Sequence, residues 1–212
     1  MAKQIYYTLI GSRETPDDIC DLMTKFATKA CSFGYIGRSG GADGADSCLE
    51  VGVKDFQSTM NIAPTTGSEF MEVYLPWKDF NGRDSLDSGY YTLPWMDNNL
   101  QAEKIASEIH PKWNLDLKVE SGEIEKPKNW KPMKQGAKKL HTRNVYQLLG
   151  QDLATPSRFV LCWAKPKDKD RKTEHVQGGT GTAVKLGIDN GVEIINLYWE
   201  DQRKRVEDWV NK

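Results

Sequence analysis

Residues 34–46 read GYIGRSGGADGAD. An apolar, partly β-branched run, Gly34–Ser39, passes into a turn holding Gly40, Gly41 and Gly44 beside the acids Asp43 and Asp46. The next residues, DSCLEVGVKDF, carry helical spacing. Glycine weakens any helix or strand that contains it, so such a cluster marks a tight turn or a close backbone approach. Strand, glycine turn, helix is the order expected of a loop at the carboxyl edge of a parallel sheet.

The pattern repeats on both sides. IYYTLI (Ile5–Ile10), MEVYL (Met71–Leu75), RFVLCW (Arg158–Trp163) and VEIINLY (Val192–Tyr198) are near-continuous apolar runs. Such runs suit strands covered on both faces. Between them, Ile19, Leu22, Met23, Phe26 and Ala30 recur at helical spacing after Pro16, which suits a helix's first turn. GAKKLHTRNVYQLLGQDL and GTAVKLGIDNG read likewise, and a last helix is expected at about 201–210. The alternation predicts an α/β fold, doubly wound around a mainly parallel sheet. It breaks over 78–135, a Pro-, Gly-, Trp- and charge-rich stretch too long for a structureless loop. That stretch is expected to be an insertion forming a cap or lobe beside the site, within one domain spanning 1–212. Trp77, Trp95, Trp113 and Trp130 flank or lie in it, either pinning it to the domain or stacking on a base.

The 212 residues hold 29 basic and 30 acidic side chains, a formal net charge of −1, which argues against nucleic acid as the partner. No apolar run approaches membrane-spanning length and no secretion signal precedes Ile5, so a cytoplasmic chain without a membrane partner is expected. Cys20, Cys31, Cys48 and Cys162 form no CxxC pair and do not cluster with histidines, so buried thiols are expected and no metal site.

Three small-residue loops would share one sheet edge. They are Gly11–Ser12–Arg13 after the first strand, Ser39–Gly40–Gly41–Ala42 after the second, and Gly178–Gly179–Thr180–Gly181–Thr182 opening a later helix. Free backbone N–H groups and helix N-termini at such an edge attract anions, above all phosphate. The phosphate is expected across the N-termini of the helices after GSR and GGTGT.

The ordered motifs GSRETP, GRSGGADGAD, HTRN and GGTGTAVKLG resemble the SLOG superfamily of Rossmann-like nucleotide-binding proteins. GSR and SGGADGAD look most like the DNA-processing protein A and YspA-like families. HTRN followed by GGTGT is closer to the Lonely Guy phosphoribohydrolases. The resemblance implies a nucleotide or nucleotide-derived ligand, including a signalling nucleotide, and a receptor or sequestering role. Alternatives it carries are hydrolysis of an N-glycosidic or phosphate bond, and single-stranded DNA binding. The Lonely Guy pattern implies a site arginine, matched by Arg143, and a glutamate pair where this chain has Val184 and Lys185. Lysine would oppose an oxocarbenium-like centre, so that mechanism does not carry over. Hydrolysis would need Asp43, Asp46, or Glu69, Asp84 or Asp87 toward the insertion, with Arg143 beside them.

Other readings stand beside these. Ser12 and Arg13 suit a phosphate, or a helix cap and a surface arginine. Asp46 suits ribose hydroxyls, or the first turn of its helix. Asp43 suits an N-cap, and Thr142 a cap just before Arg143. His141 reads as structural. From Lys126 to Arg143 there are seven Lys or Arg and no acid, a solvated face or a positive lid over the phosphate. KPKDKDRKTEH, Lys165–His175, reads as a mobile charged loop. The oligomeric state, homo-oligomer included, is left open.

Overall fold

The computed structural model describes residues 4–84 and 86–212. Six strands, β1 (Tyr6–Gly11), β2 (Ile36–Ser39), β3 (Met71–Leu75), β4 (Tyr90–Thr92), β5 (Phe159–Trp163) and β6 (Glu193–Asn196), form one sheet in the order β4-β3-β2-β1-β5-β6. Every pairing is parallel. The α-helices are α1 (Asp17–Ser32), α2 (Ala45–Met60), α3 (Asn99–Ile109), α4 (Pro111–Glu120), α5 (Gln135–Leu149), α6 (Thr180–Asp189) and α7 (Glu200–Val210).

Alternate side chains of β1, β3 and β5 enter two separate cores. Tyr7, Leu9, Val73, Leu75 and Leu161 pack against α1, α2 and α7. Ile10, Tyr74, Val160 and Cys162 pack against α3, α5 and α6 on the other face. Burying one such side chain contributes roughly 1.5–3 kcal/mol, so two dry faces hold the sheet with continuous apolar strands, as doubly wound folds require.

Residues 78–135 contribute to this architecture directly. β4 extends the sheet beyond β3, with Val73 opposite Tyr90. Ala102, Ala106 and Trp113 of α3 and α4 belong to the second core. Asp116 is fully buried, pairs with Lys112, and accepts hydrogen bonds from Trp130 Nε1 (2.8 Å) and the Met133 amide (2.7 Å). Trp77 and Trp95 stay partly exposed.

Two local expectations are corrected. Gly44, not Asp43, is the N-cap of α2, with φ 77°, a value glycine adopts without strain. Asp43 is exposed and accepts from Asn81 Nδ2 at 3.5 Å. Thr142 lies inside α5, where its hydroxyl donates to the Lys138 carbonyl (3.0 Å), so it caps nothing. Lys165–His175 is a loop without strand or helix, as its composition suggests. A Pro166–Val176 bridge closes it, and Arg171 ties it to Asp201 of α7 at 2.8 Å.

Candidate functional site

Strand order reverses at β1. β2 follows on one side, while β5 lies on the other. In open parallel sheets the loops diverge at such a switch point and leave a crevice at the carboxyl ends. Here a cavity of about 580 Å³ occupies that place. It is walled by Ile10–Glu14 after β1, Ala42 and Asp46 after β2, Ala164 and Lys165 after β5, and Gln177–Thr180 before α6. One face of α5 closes it through Ala137, Leu140, His141, Arg143, Asn144 and Gln147.

The glycines fall into two kinds. A side chain on Gly40 would stand 2.3 Å from Arg143 Cζ, and one on Gly11 would stand 2.6 Å from the Trp163 carbonyl. Those positions are bare because protein packs against them. Gly178 and Gly179 are different, since a Cβ at either meets nothing within 4 Å. Gly178 needs glycine for its φ of 74°, but Gly179 sits in ordinary helical geometry (φ −62°, ψ −33°) as the N-cap of α6. Its nakedness faces open space.

Asp46 braces the loops from beneath. One carboxylate oxygen accepts from the Gly11 amide (3.3 Å) and the other from the Ala42 amide (3.4 Å). Ser39 donates to the Asp46 carbonyl at 3.0 Å. Burial pushes the Asp46 carboxyl above the usual range, although Arg143, 3.6 Å away, and the two amides pull it down. Burial likewise lowers the Arg143 guanidinium, against the pull of Asp46. Desolvation therefore outweighs attraction for both partners.

The HTRN segment joins the loops from above. His141 Nδ1 lies 2.9 Å from the Thr182 hydroxyl, Arg143 Nη1 donates to the Gly40 carbonyl (2.8 Å), and Asn144 Nδ2 donates to the Gly179 carbonyl (2.8 Å). Burial, reinforced by the neighbouring His110 and Arg143, lowers the His141 imidazole to about 4, so it is neutral at pH 7. The His110 ring packs on it, centroids 4.1 Å apart.

Of the residues singled out in the sequence, Gly11, Ser12, Arg13, Ala42, Asp46, Arg143, Gly178, Gly179 and Thr180 line the cavity. Ser39, Gly40, Gly41, Gly181 and Thr182 are not among the lining residues. Asp43, Glu69, Asp84 and Asp87 are not among the lining residues, nor is any described residue of 78–135 or any of the four tryptophans. The only lining carboxylates among the described residues are Glu14 and Asp46. Val184 is fully buried and Lys185 pairs with Asp189 at 2.7 Å, so neither brings an acid to the crevice. Asn144, His141 and Gln147 carry a signal that spacing holds: Ala137, Leu140, His141, Asn144 and Gln147 repeat along one helix face, and polar residues on a buried face need partners.

Fold and crevice together define a doubly wound, Rossmann-like α/β protein with a polar cleft at its topological switch point. Compared with known proteins, the chain matches no family model, and no curated protein matches it. No helix among the described residues is long and apolar enough to cross a membrane.

Proposed function

We propose that the crevice binds a nucleotide or nucleotide-derived small molecule, as a receptor or sequestering protein, with the phosphate over the N-terminus of α6. The observation that carries this reading is the bare Gly178–Gly179 pair opening a helix onto the cavity at the switch point. Unobstructed amides and the helix dipole favour an anion there. Arg13 stands exposed on the wall, and Lys165 is held only by an exposed contact to Glu14 (3.4 Å), which a phosphate can displace. The N-terminus of α1 is the poorer of the two helix ends, because Asp17 and Asp18 already occupy its first turn. The motif order that resembles the SLOG superfamily supports the same ligand class. The absence of a glutamate pair near α6 favours binding over Lonely Guy-type hydrolysis.

Gly179→Val is the cleanest probe, because the added side chain enters open space rather than protein. The variant is expected to fold with an unchanged circular dichroism spectrum and to lose at least tenfold in nucleotide affinity, ~1.4 kcal/mol. Native mass spectrometry of the purified protein identifies the co-purifying nucleotide, and calorimetry with it compares parent and variant. Equal affinities in both would remove the phosphate from this loop.

A further inference from the structure

His141 has one ring nitrogen fixed and the other free. Its Nδ1 lies 2.9 Å from the hydroxyl of Thr182, in the first turn of α6. Thr182 is 5 % exposed, and this imidazole is its hydroxyl's only hydrogen-bond partner among the described residues. A buried hydroxyl carries one proton that needs an acceptor. Nδ1 takes that proton's hydrogen bond, so the neutral ring carries its own proton on Nε2. Turning the ring over would set a carbon against Thr182 and leave the hydroxyl unpaired.

Nε2 makes no hydrogen bond among the described residues, yet it is not one of their buried unpartnered atoms, so solvent reaches it. His141 lines the crevice. Thr182, which holds the Nδ1 edge, and His110, which packs on the ring, do not. One turn apart on the same face of α5, His141 holds Thr182 and Asn144 holds the Gly179 carbonyl. The ring therefore stands along the first turn of α6, which opens on the same cavity. Positive charge comes from elsewhere on the wall, from Arg13 and Lys165. What a neutral imidazole adds is a directed donor.

We propose that His141 presents its Nε2–H to the crevice and donates it to an oxygen of the ligand's phosphate, with Thr182 fixing the tautomer from behind. This rests on the crevice being the nucleotide site. His141 is then a binding residue as well as a link between α5 and α6.

Nuclear magnetic resonance of the full nitrogen-15-labelled chain at pH 7, titrated with inorganic phosphate, tests it. Long-range proton–nitrogen spectra of the imidazole are expected to show Nε2 protonated and Nδ1 bare. Phosphate is expected to shift the Nε2 signal together with the Gly178 and Gly179 amides. Two variants are titrated through the Gly179 amide. His141→Gln carries an amide that reaches the Nε2 position, and should keep a phosphate affinity near the parent's. His141→Asn reaches only as far as Nδ1, and should bind phosphate roughly three- to tenfold more weakly, the effect of one neutral hydrogen bond. A proton on Nδ1 overturns the proposal. So does equal affinity in the parent and His141→Asn, or an equal loss in both variants, the mark of a merely structural ring. Should a variant fail to fold, the tautomer and the Nε2 shift of the parent still decide. Shifts at Gly178 and Gly179 with Nε2 unmoved remove His141 from the site and leave the crevice reading standing. If phosphate moves neither the amides nor Nε2, both fall.

Discussion

Arg143→Ala is expected to destabilise the fold by about 3–5 kcal/mol, the cost of leaving a buried charge without its partner. Its guanidinium is the counter-charge to Asp46, whose side chain is only 3 % exposed. It also supplies the hydrogen bond that holds the Gly40 carbonyl. Without it, the Asp46 carboxylate keeps two long amide contacts, at 3.3 and 3.4 Å, and no cation. Asp46→Ala should cost a comparable amount, because it strands a buried guanidinium and frees the Gly11 and Ala42 amides. The informative variant is the double one. Burial works against the charged form of both partners, so deleting both removes the desolvation cost together with the attraction. Arg143→Ala with Asp46→Ala should therefore be less destabilised than the two single losses summed, by several kcal/mol. Urea denaturation of the four proteins closes the cycle. Strictly additive losses would mean that the two side chains act separately and that α5 does not brace the loops through this pair.

Acidification from pH 6.5 towards 4 is expected to remove up to about 3 kcal/mol of stability through His141. Its imidazole takes a proton near 6.5 in the unfolded chain but only at about 4 in the folded one. Within that window the unfolded chain binds more protons, so stability falls as the pH falls. Above 6.5 the contribution is fully present. The cause is burial, reinforced by His110 and Arg143, and protonation would also force the Thr182 contact to be remade. His110 is lowered as well and acts in the same direction. Asp46, raised by burial, acts in the opposite direction. The difference between the parent and His141→Asn therefore isolates His141. Denaturation midpoints at pH 7, 6, 5 and 4.5 should converge as the pH drops, because only the parent carries this titration. Parallel curves would show that His141 is as easily protonated folded as unfolded.

The two tests bear on why parts of the crevice could be read in advance and others could not. Strands such as Leu9–Ile10 and Leu161–Cys162 are apolar at consecutive positions, which implies two covered faces wherever the chain ends up. Gly178–Gly179 before a helical run likewise announces exposed amides from local chemistry alone. β4 left no such trace. Its three residues, YYT, lie between Gly89 and the Leu93–Pro94 turn, and only pairing with β3 makes them a strand. The stretch around it reads as an insertion from its Pro-, Gly-, Trp- and charge-rich composition, which hides a strand that pairs with the preceding β3. Thr142 looked like a cap from its residue type and its place before Arg143, although the helical spacing from Gly136 already ran through it, as α5 does from Gln135.

The glycine turn after β2 marks the division most clearly. Composition and spacing determined the α/β class, the strand–loop–helix order and the gathering of three small-residue loops on one edge, since these follow from periodicity and from the geometry common to parallel sheets. Which glycines are bare for a neighbouring side chain and which for open space was decided by the tertiary structure. Gly40 is bare because Arg143, more than a hundred positions away, lies over it; Gly179 is bare with no protein in front of it. The same holds for the acids. Asp46 reads in sequence as a ribose ligand or a first-turn acid, and only the tertiary structure brings two amides and a guanidinium from three separate segments onto it. Contacts between distant segments set burial and partnership, and those in turn set whether a polar residue supports the site or faces what enters it.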